Sequence, residues 1–308
     1  MASDYAITQF RHLTRLLLVH GRWSYHRSAE TTLCSFHKNI AFVVSGFWYQ
    51  WQCAFTSSYL YDYMYANFFN ILLAMPPILV LGCFDQDVGA EDAVKYPQLY
   101  RRGIKQSSYS LSLFLLYMAN GLWQSLVCYF IPRLSYDVGI VNARGFTESR
   151  TFLGNAVGVS VIICVNLFVL LNTKAWNVIV VVSFIVTMLC LIGLLIVCSF
   201  IYGMTLFGSI VQLAEPRFYA VLLLSVSVAI TPQLLYKLTQ SQFAPNDVDI
   251  VREAAMVGQL KGATLEPTNH SVEDMLMTGV EAVVPPPKAL VRSFGDGDYE
   301  HDDGKQQL

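Results

Sequence analysis

Residues 37–55, HKNIAFVVSGFWYQWQCAF, are the stretch that decides the fold of this chain. A helix rises about 1.5 Å per residue and the hydrocarbon core of a bilayer is about 30 Å thick, so about 20 mostly apolar residues can cross it. One cation, Lys38, stands near the start of the stretch and is followed by Asn39. Such a lysine can be an interfacial anchor whose ammonium snorkels to the surface, or it can serve a polar path through the bilayer.

The composition of the whole chain favours an integral membrane protein over a soluble domain. Of its 308 residues, 54% are apolar and only 14% are charged, whereas about 25% of residues are charged in ordinary soluble domains. The apolar residues fall in blocks, which predict spans at residues 37–56, 66–84, 109–131, 152–171, 176–199 and 218–238. We therefore predict an all-α integral membrane bundle of six transmembrane helices.

The distribution of Lys and Arg predicts the orientation of this bundle. With the N-terminus in the cytoplasm, 16 of the 20 basic residues fall on the cytoplasmic side, where such residues are enriched in membrane proteins. The four that fall outside are Arg133, Arg144, Arg150 and Arg217. Both termini are therefore predicted to be cytoplasmic. The sequence has no basic patch of the kind that binds nucleic acid, so no nucleic-acid partner is expected.

The two ends of the chain differ in character from residues 34–238, which hold the six spans. In residues 1–33, apolar positions recur at helical spacing among four arginines, which indicates a basic stalk leading into the bilayer. Residues 239–308 are predicted to be a cytoplasmic tail, largely disordered, because residues 241–308 carry 12 acids against 5 bases and little apolar content. One helix, capped by Asn246 or Asp247, is predicted near its start.

The second span contains Asn70 and the pair Pro76-Pro77. Proline removes a backbone donor and kinks a helix, which a membrane helix tolerates where neighbours or water satisfy the freed carbonyl groups. The pair predicts either a kinked packing helix or an opening beside a pathway. The following loop carries Asp85 and Asp87, but it lacks the run of spaced oxygen ligands that a cation loop needs. A polar loop that docks on a cytoplasmic domain is therefore predicted there.

Motifs of self-contained catalysis are missing from the sequence. It has no Gly-rich P-loop, no G-x-S-x-G elbow and no C-x-x-C pair among its seven cysteines. The histidines of the N-terminal part lack acids or cysteines at metal-ligand spacing and are predicted to be surface or interface residues: His12, His20, His26 and His37. We predict no catalytic residue, no metal site and no cofactor bound by this chain.

Five stretches of the chain match the pattern of one protein family. They are SDYAITQFRHLTRLLLVHGRWSYHR (3–27), FHKNIAF (36–42), PPILVLGCFDQDV (76–88), KYPQLYRRG (95–103) and LLYKLTQSQFAPNDVDIVRE (234–253). In sequence, order and spacing they resemble the C-terminal membrane region of class IV P-type ATPases, the phospholipid flippases. The resemblance implies that residues 1–33 are the end of the phosphorylation domain and the stalk. It also implies a fragment that is inactive alone, because the phosphorylation and nucleotide domains are missing and no D-K-T-G motif occurs.

The same resemblance implies roles for individual residues. Lys38 and Asn39 would lie beside the path of the lipid headgroup, and Asn70 matches an asparagine early in the next membrane helix. The resemblance further implies a phospholipid substrate, a two-span accessory β-subunit, a plasma-membrane, Golgi or endosomal location, and Mg²⁺ and ATP for the full-length enzyme. The residues alone leave two alternatives open: a stand-alone secondary transporter or channel, and a membrane fragment without function.

Overall fold

The computed structural model of this chain describes residues 6–136, 150–200 and 210–264, and within these ranges its regular structure is helical throughout. The chain forms two compact units, residues 1–257 and residues 258–308. In the second unit the described residues, 258–264, are the end of one helix. The all-α prediction is therefore confirmed for the described residues, and the predicted disorder of the tail falls on residues 265–308, outside them.

Twelve α-helices are described, with two π-helical turns and one 3-10 turn between them. The first part of the chain contains α1 (His12–Arg15), a π-helical turn (Leu16–Gly21), α2 (Arg22–Gln52), α3 (Tyr63–Phe68), a second π-helical turn (Phe69–Leu73), α4 (Met75–Phe84), α5 (Ala90–Lys95), a 3-10 turn (Pro97–Tyr100) and α6 (Arg101–Ile104). The second part contains α7 (Leu111–Ser135), α8 (Arg150–Asn172), α9 (Val178–Phe200), α10 (Ile210–Leu213), α11 (Pro216–Phe243) and α12 (Asp247–Thr264).

Within the described ranges, five helical segments are long and apolar enough to cross a membrane. They are Tyr63–Phe84, Leu111–Ser135, Arg150–Asn172, Val178–Phe200 and Pro216–Phe243, close to five of the six predicted spans. The remaining predicted span falls in α2, which has 31 residues but contains His37, Lys38 and Asn39, whose polarity lowers its mean hydropathy. Six spans and the cytoplasmic position of both termini therefore remain predictions.

The helix α8 lies at the centre of the bundle. Most of its side chains are buried, and it packs against α2, α4, α7 and α11. The helix α9 is the most apolar of the five segments and the least buried, which agrees with the lipid-facing surface of an apolar helix in a membrane. The buried core between these helices is made of aliphatic and aromatic side chains, including Phe69, Tyr129, Val157 and Ile162.

The helix α2 packs closely against α7 and α8 through one face. Its buried residues on this face recur every three or four positions, as helical geometry requires, and include Leu33, Cys34, His37, Ala41 and Ser45. A glycine in α7 permits the close approach, because a Cβ atom at Gly121 would lie only 3.1 Å from the carbonyl oxygen of His37.

The helix α12 begins at Asp247, where the capping residues predicted a start. The Asn246 carbonyl accepts from the Ile250 N–H at 3.1 Å, which closes its first turn. Val248 and Val251 of this helix pack on Val88 and Leu99 of the segment between α4 and α6. The first turns of α12 therefore cover the loop that follows α4.

Candidate functional site

Lys38 lies at a contact between α2 and the second π-helical turn. Its ammonium nitrogen donates to Asn70 Oδ1 at 3.0 Å and lies 3.4 Å from Met75 Sδ. The centroid of the Phe69 ring is 5.8 Å from the same nitrogen, within the range of a cation–π attraction. Only 3% of Lys38 is exposed. A charge buried to this extent needs polar partners, and the asparagine supplies one.

The Lys38 ammonium keeps unused bonding capacity. An ammonium carries three N–H donors, and among the described residues Lys38 has one oxygen acceptor in Asn70 and one weak sulfur acceptor in Met75. Asn70 itself is exposed at the protein surface. An anionic group that reaches Asn70 can therefore also receive a hydrogen bond from the ammonium. Buried charges attract more strongly than exposed ones, because the protein interior screens charge less than water does.

The helical segment that carries Asn70 is interrupted at Ala74. This residue has φ −139° and ψ −21°, outside the helical region, and it separates the π-helical turn from α4. Pro76 and Pro77 lie in the first turn of α4. Proline is tolerated at such positions because the first N–H groups of a helix have no intrahelical acceptor. The two prolines thus follow a break between two helical pieces.

The two prolines leave the carbonyls of Leu72 and Leu73 without their usual helical donors, and that of Leu73 is buried. Pro77 has no N–H, so it cannot donate to the Leu73 carbonyl four residues before it. Asn166 of α8 replaces the missing donor, because its Nδ2 donates to Leu73 O at 2.7 Å. The same Nδ2 also donates to Ile162 O at 2.8 Å. Asn166 is fully buried. Sequence reasoning could not pair Asn166 with Leu73, because 93 positions separate them.

The structure brings together some of the residues that the sequence singled out. Lys38 and Asn70 are in contact, and the prolines follow Met75, the second neighbour of the ammonium. Asn39 is exposed and takes no part in this contact. Successive residues of a helix point about 100° apart, so Asn39 faces away from the direction of Lys38.

A second buried polar cluster joins α2 to the chain after α4. Asp85 is fully buried and accepts from the backbone N–H groups of Lys174 at 2.9 Å and Ala175 at 2.7 Å. His26 Nε2 lies 3.7 Å from the Asp85 carboxylate, and Arg27 Nε donates to the Asp85 carbonyl. One acidic residue therefore ties together α2, the end of α4 and the turn between α8 and α9. The sequence did not reveal this role.

The next acid of the same loop is also engaged by α2. Arg22 forms an ion pair with Asp87 at 2.5 Å, and Trp23 Nε1 donates to the Val88 carbonyl at 3.0 Å. The loop that was predicted to dock on a cytoplasmic domain thus docks on α2 and on the turn after α8. Within the described ranges no group of three or more His, Cys, Asp or Glu side chains could hold a metal ion.

The charges of this cluster shift two pKa values. Burial alone would lower the pKa of His26, but its close contact with the Asp85 carboxylate and the negative charges of Asp87 and Glu30 raise it above the ordinary value of 6.5. Burial alone would raise the pKa of Asp85, but His26 and the N–H groups of Ala175 and Lys174 lower it. The protonated imidazole and the carboxylate therefore stabilise each other.

Comparison with known proteins places these features in a family. Residues 1–246 match the family described as phospholipid-translocating P-type ATPase C-terminal. The chain is 39% identical over 259 residues to the phospholipid-transporting ATPase DNF1 of Saccharomyces cerevisiae, covering 82% of this chain and 16% of that protein. It is 36% identical over 272 residues to DNF1 of Chaetomium thermophilum, covering 85% of this chain and 17% of the relative.

A human relative gives the same result. The chain is 32% identical over 265 residues to human phospholipid-transporting ATPase VD, covering 80% of this chain and 17% of that protein. The chain thus spans about a sixth of the length of these relatives. Its apolar helices fit an integral membrane protein. With a family match over most of its residues, the chain belongs to the C-terminal region family of the phospholipid-translocating P-type ATPases.

Proposed function

We propose that this chain is the C-terminal membrane part of an ATP-driven phospholipid flippase, which moves lipid from the outer to the cytoplasmic leaflet. The observation that carries the proposal is the buried contact between Lys38 and Asn70 beside an interrupted helix. A phospholipid headgroup is charged and must cross about 30 Å of hydrocarbon, so its path needs polar groups where the bundle is not closely packed. The Lys38 ammonium can donate a hydrogen bond to the phosphate of the headgroup, and the helix interruption at Ala74 provides space beside it.

The stalk provides a way to move this site. From Arg22 to Gln52 the helix α2 is continuous, and Lys38 lies 16 positions after Arg22, a distance of about 24 Å along the axis. A displacement of the stalk by the phosphorylation domain is therefore transmitted to Lys38. Asn70 belongs to a different helical segment, so such a movement changes the distance between ammonium and amide. In this proposal, that change exposes the ammonium to the headgroup in one state and withdraws it in another.

The proposed topology has six spans, with α2 as the first and both termini in the cytoplasm. Residues 1–33 form the end of the phosphorylation domain and the stalk, residues 34–238 the membrane domain, and residues 239–308 the cytoplasmic tail, for which we propose a regulatory role. Asn39, next to Lys38 and exposed, would meet the headgroup or its water in another state of the cycle. The phospholipid is the substrate and the membrane the surrounding medium.

The remaining components belong to the full-length enzyme. ATP and Mg²⁺ would bind to its phosphorylation and nucleotide domains, and the residues described in this chain contain no group suited to a metal ion, so no step is assigned to either here. A two-span accessory β-subunit is the proposed protein partner. The proposed location is the plasma membrane, the Golgi or the endosomal system.

The proposal is tested by exchanging the corresponding region of Saccharomyces cerevisiae DNF1 for this chain and introducing Lys38→Ala. We expect uptake of fluorescent phosphatidylcholine, phosphatidylethanolamine and phosphatidylserine, and lipid-stimulated ATP hydrolysis, to fall about tenfold or more, because a hydrogen bond to a charged group contributes about 1.5–3 kcal/mol. Lys105→Ala is the matched control, since Lys105 is exposed in the loop before α7. Wild-type uptake and hydrolysis in Lys38→Ala, at equal surface expression, would refute the proposed role.

A further inference from the structure

A line of polar side chains runs through the bundle between α2, α7, α8 and α11. Asn120 Nδ2 donates to Gln233 Oε1 at 3.1 Å, and Gln233 Nε2 donates to Asn172 Oδ1 at 3.1 Å. These three amides join α7, α11 and α8 in one hydrogen-bonded row. Asn172 and Gln233 are almost fully buried. We call this row, together with His37 and Gln124, the polar seam.

His37 and Gln124 form the inner end of the polar seam. The ring of His37 is fully buried and stacks on Phe168 with 3.6 Å between ring centroids. The Asn120 amide lies next to this ring, and Gln124 is one helical turn further along α7, with 1% of its surface exposed. His37 faces α7 and α8, whereas the neighbouring Lys38 contacts the segment Tyr63–Phe84. The polar seam and the Lys38–Asn70 contact therefore lie on different faces of α2.

The polar seam contains many buried atoms without a hydrogen-bond partner. Among the described residues six atoms lack a hydrogen bond of normal geometry: both ring nitrogens of His37, both side-chain polar atoms of Gln124, the Oδ1 of Asn120 and the Nδ2 of Asn172. His37 approaches Asn120, and Asn172 approaches Cys34, without reaching that geometry. Buried polar atoms in native proteins are nearly always paired with protein or with ordered water. Six unpaired atoms in a dry interior would cancel a large part of the net stability of a folded chain.

The polar seam meets an open cleft at the stalk end of the bundle. The cleft has a volume of about 460 Å³, and Asn172, Gln233 and Tyr117 belong to its lining. Hydroxyl and charged side chains supply much of the rest, among them Ser107, Ser110, Arg102, Lys174 and Lys237. From Ser110, the residue that caps the start of α7, to Gln124 is 14 residues, or about 21 Å along the helix. The polar seam therefore reaches a distance from the cleft that exceeds half the thickness of a hydrocarbon core, which is about 30 Å.

We propose that the polar seam is a water-filled half-channel, open at the cleft and closed beyond His37 and Gln124. Water fits its chemistry because each molecule both donates and accepts, as the unpaired amide nitrogens, amide oxygens and imidazole nitrogens require. In the topology proposed above, the half-channel opens to the cytoplasm. These waters would allow α2 to shift against α7 and α11, because they can form new hydrogen bonds with the buried polar groups in each position of α2.

Cysteine accessibility tests this proposal on the full chain in lipid nanodiscs, in a background with all seven native cysteines replaced by alanine. Single Asn172→Cys, Asn120→Cys and Gln124→Cys variants are treated with 2-aminoethyl methanethiosulfonate, and modification is followed by mass spectrometry. Ser160→Cys is the matched control, because Ser160 of α8 is fully buried and bonds only to Ala156 O of its own helix. Both faces of a nanodisc are open to reagent, so the result is independent of the proposed topology and transport.

We expect modification at positions 172, 120 and 124 to be at least about tenfold faster than at position 160, because a hydrated thiol ionises more readily than one in a dry core. The rate should fall with depth from position 172 to position 124. Rates at positions 120 and 124 as low as at position 160 would overturn the proposal, and so would a failure of position 172, which lines the cleft, to react.

A stability measurement gives a second, independent readout. In a dry bundle, Gln124→Leu would remove two unpaired polar atoms and raise the thermal unfolding temperature. In a hydrated polar seam the leucine displaces water that also serves Asn120 and His37, so we expect the unfolding temperature to fall. A rise in Gln124→Leu would therefore contradict the half-channel.

Discussion

The side chain of Asn166 donates a hydrogen bond to the carbonyl of Leu73 at 2.7 Å, and Pro77 leaves that same carbonyl without a backbone donor. A side chain of α8 thus completes the hydrogen bonding of a different, interrupted segment. The segment carries Asn70 just before Leu73 and Met75 just after it, and these are the neighbours of the Lys38 ammonium. The geometry at Lys38 therefore depends on a residue that does not touch it.

This relationship predicts an unusual double variant. Asn166→Leu leaves the Leu73 carbonyl unpaired in an apolar interior, which should cost about 1–3 kcal/mol and lower the thermal unfolding temperature by several degrees. Pro77→Ala restores a backbone N–H at position 77, which can donate to the same carbonyl. Asn166→Leu combined with Pro77→Ala should therefore be less destabilised than the sum of the two single variants, as measured by thermal unfolding in detergent.

The control for this cycle lies on the same helix. Ser160→Ala removes a buried hydroxyl whose one hydrogen bond is to Ala156 O within α8, so no carbonyl of another segment loses its donor. Combined with Pro77→Ala, this control should show simple additivity. Additive effects of Asn166→Leu and Pro77→Ala would mean that the asparagine does not replace the missing N–H.

A second prediction concerns a close approach near the start of α8. A Cβ atom at Gly154 would collide with the carbonyl oxygen of Leu60, in the loop between α2 and α3, and would lie 3.2 Å from its carbonyl carbon. Both atoms are backbone, so the contact cannot be relieved by a rotamer change. Gly154→Ala should destabilise the chain by about 1–3 kcal/mol. Gly193→Ala in α9 has nothing within 4 Å and should leave the unfolding temperature nearly unchanged.

Local signals in the sequence predicted the helices. Apolar runs located five membrane-competent segments, and the Asn246-Asp247 pair located the start of α12, because hydropathy and capping depend on neighbours in the chain. The span in α2 carries too many polar residues for the same signal, and its place in the membrane remains a prediction.

Contacts between distant residues could not be predicted in the same way. Lys38 attracted attention because a charge in an apolar stretch is costly, and Asn70 because the family resemblance matches it to an asparagine early in the next membrane helix. That they meet depends on the packing of α2 against the π-helical turn. Asp85 lies 89 positions from Lys174, whose N–H it accepts. Only the fold brings such pairs together, and the role of Lys38 in transport stays a prediction.

Asp85 is predicted to hold the loop after α4 in place. Asp85→Ala removes the acceptor of the Lys174 and Ala175 N–H groups. Each of these donors, left unpaired in the interior, should lower the free energy of unfolding by about 1–3 kcal/mol. Asp85→Asn keeps an acceptor oxygen and should be less destabilised. Limited proteolysis should cleave residues 85–108 faster in Asp85→Ala than in the wild type. Glu91→Gln, an exposed acid of the same loop, is the control and should leave the cleavage rate unchanged.

The pairing of His26 with Asp85 makes stability depend on pH. Because the folded state raises the pKa of His26 above 6.5, the resulting stabilisation is fully present below the ordinary histidine pKa and is lost as pH rises through the raised value. As pH rises from below 6.5 through the raised pKa of His26, the thermal unfolding temperature should therefore decline more steeply in the wild type than in His26→Gln. Exposed His12 provides the control, and His12→Gln should keep the wild-type decline. If the unfolding temperature declines with pH equally in the wild type and in His26→Gln, the contact with Asp85 does not stabilise the protonated form of His26.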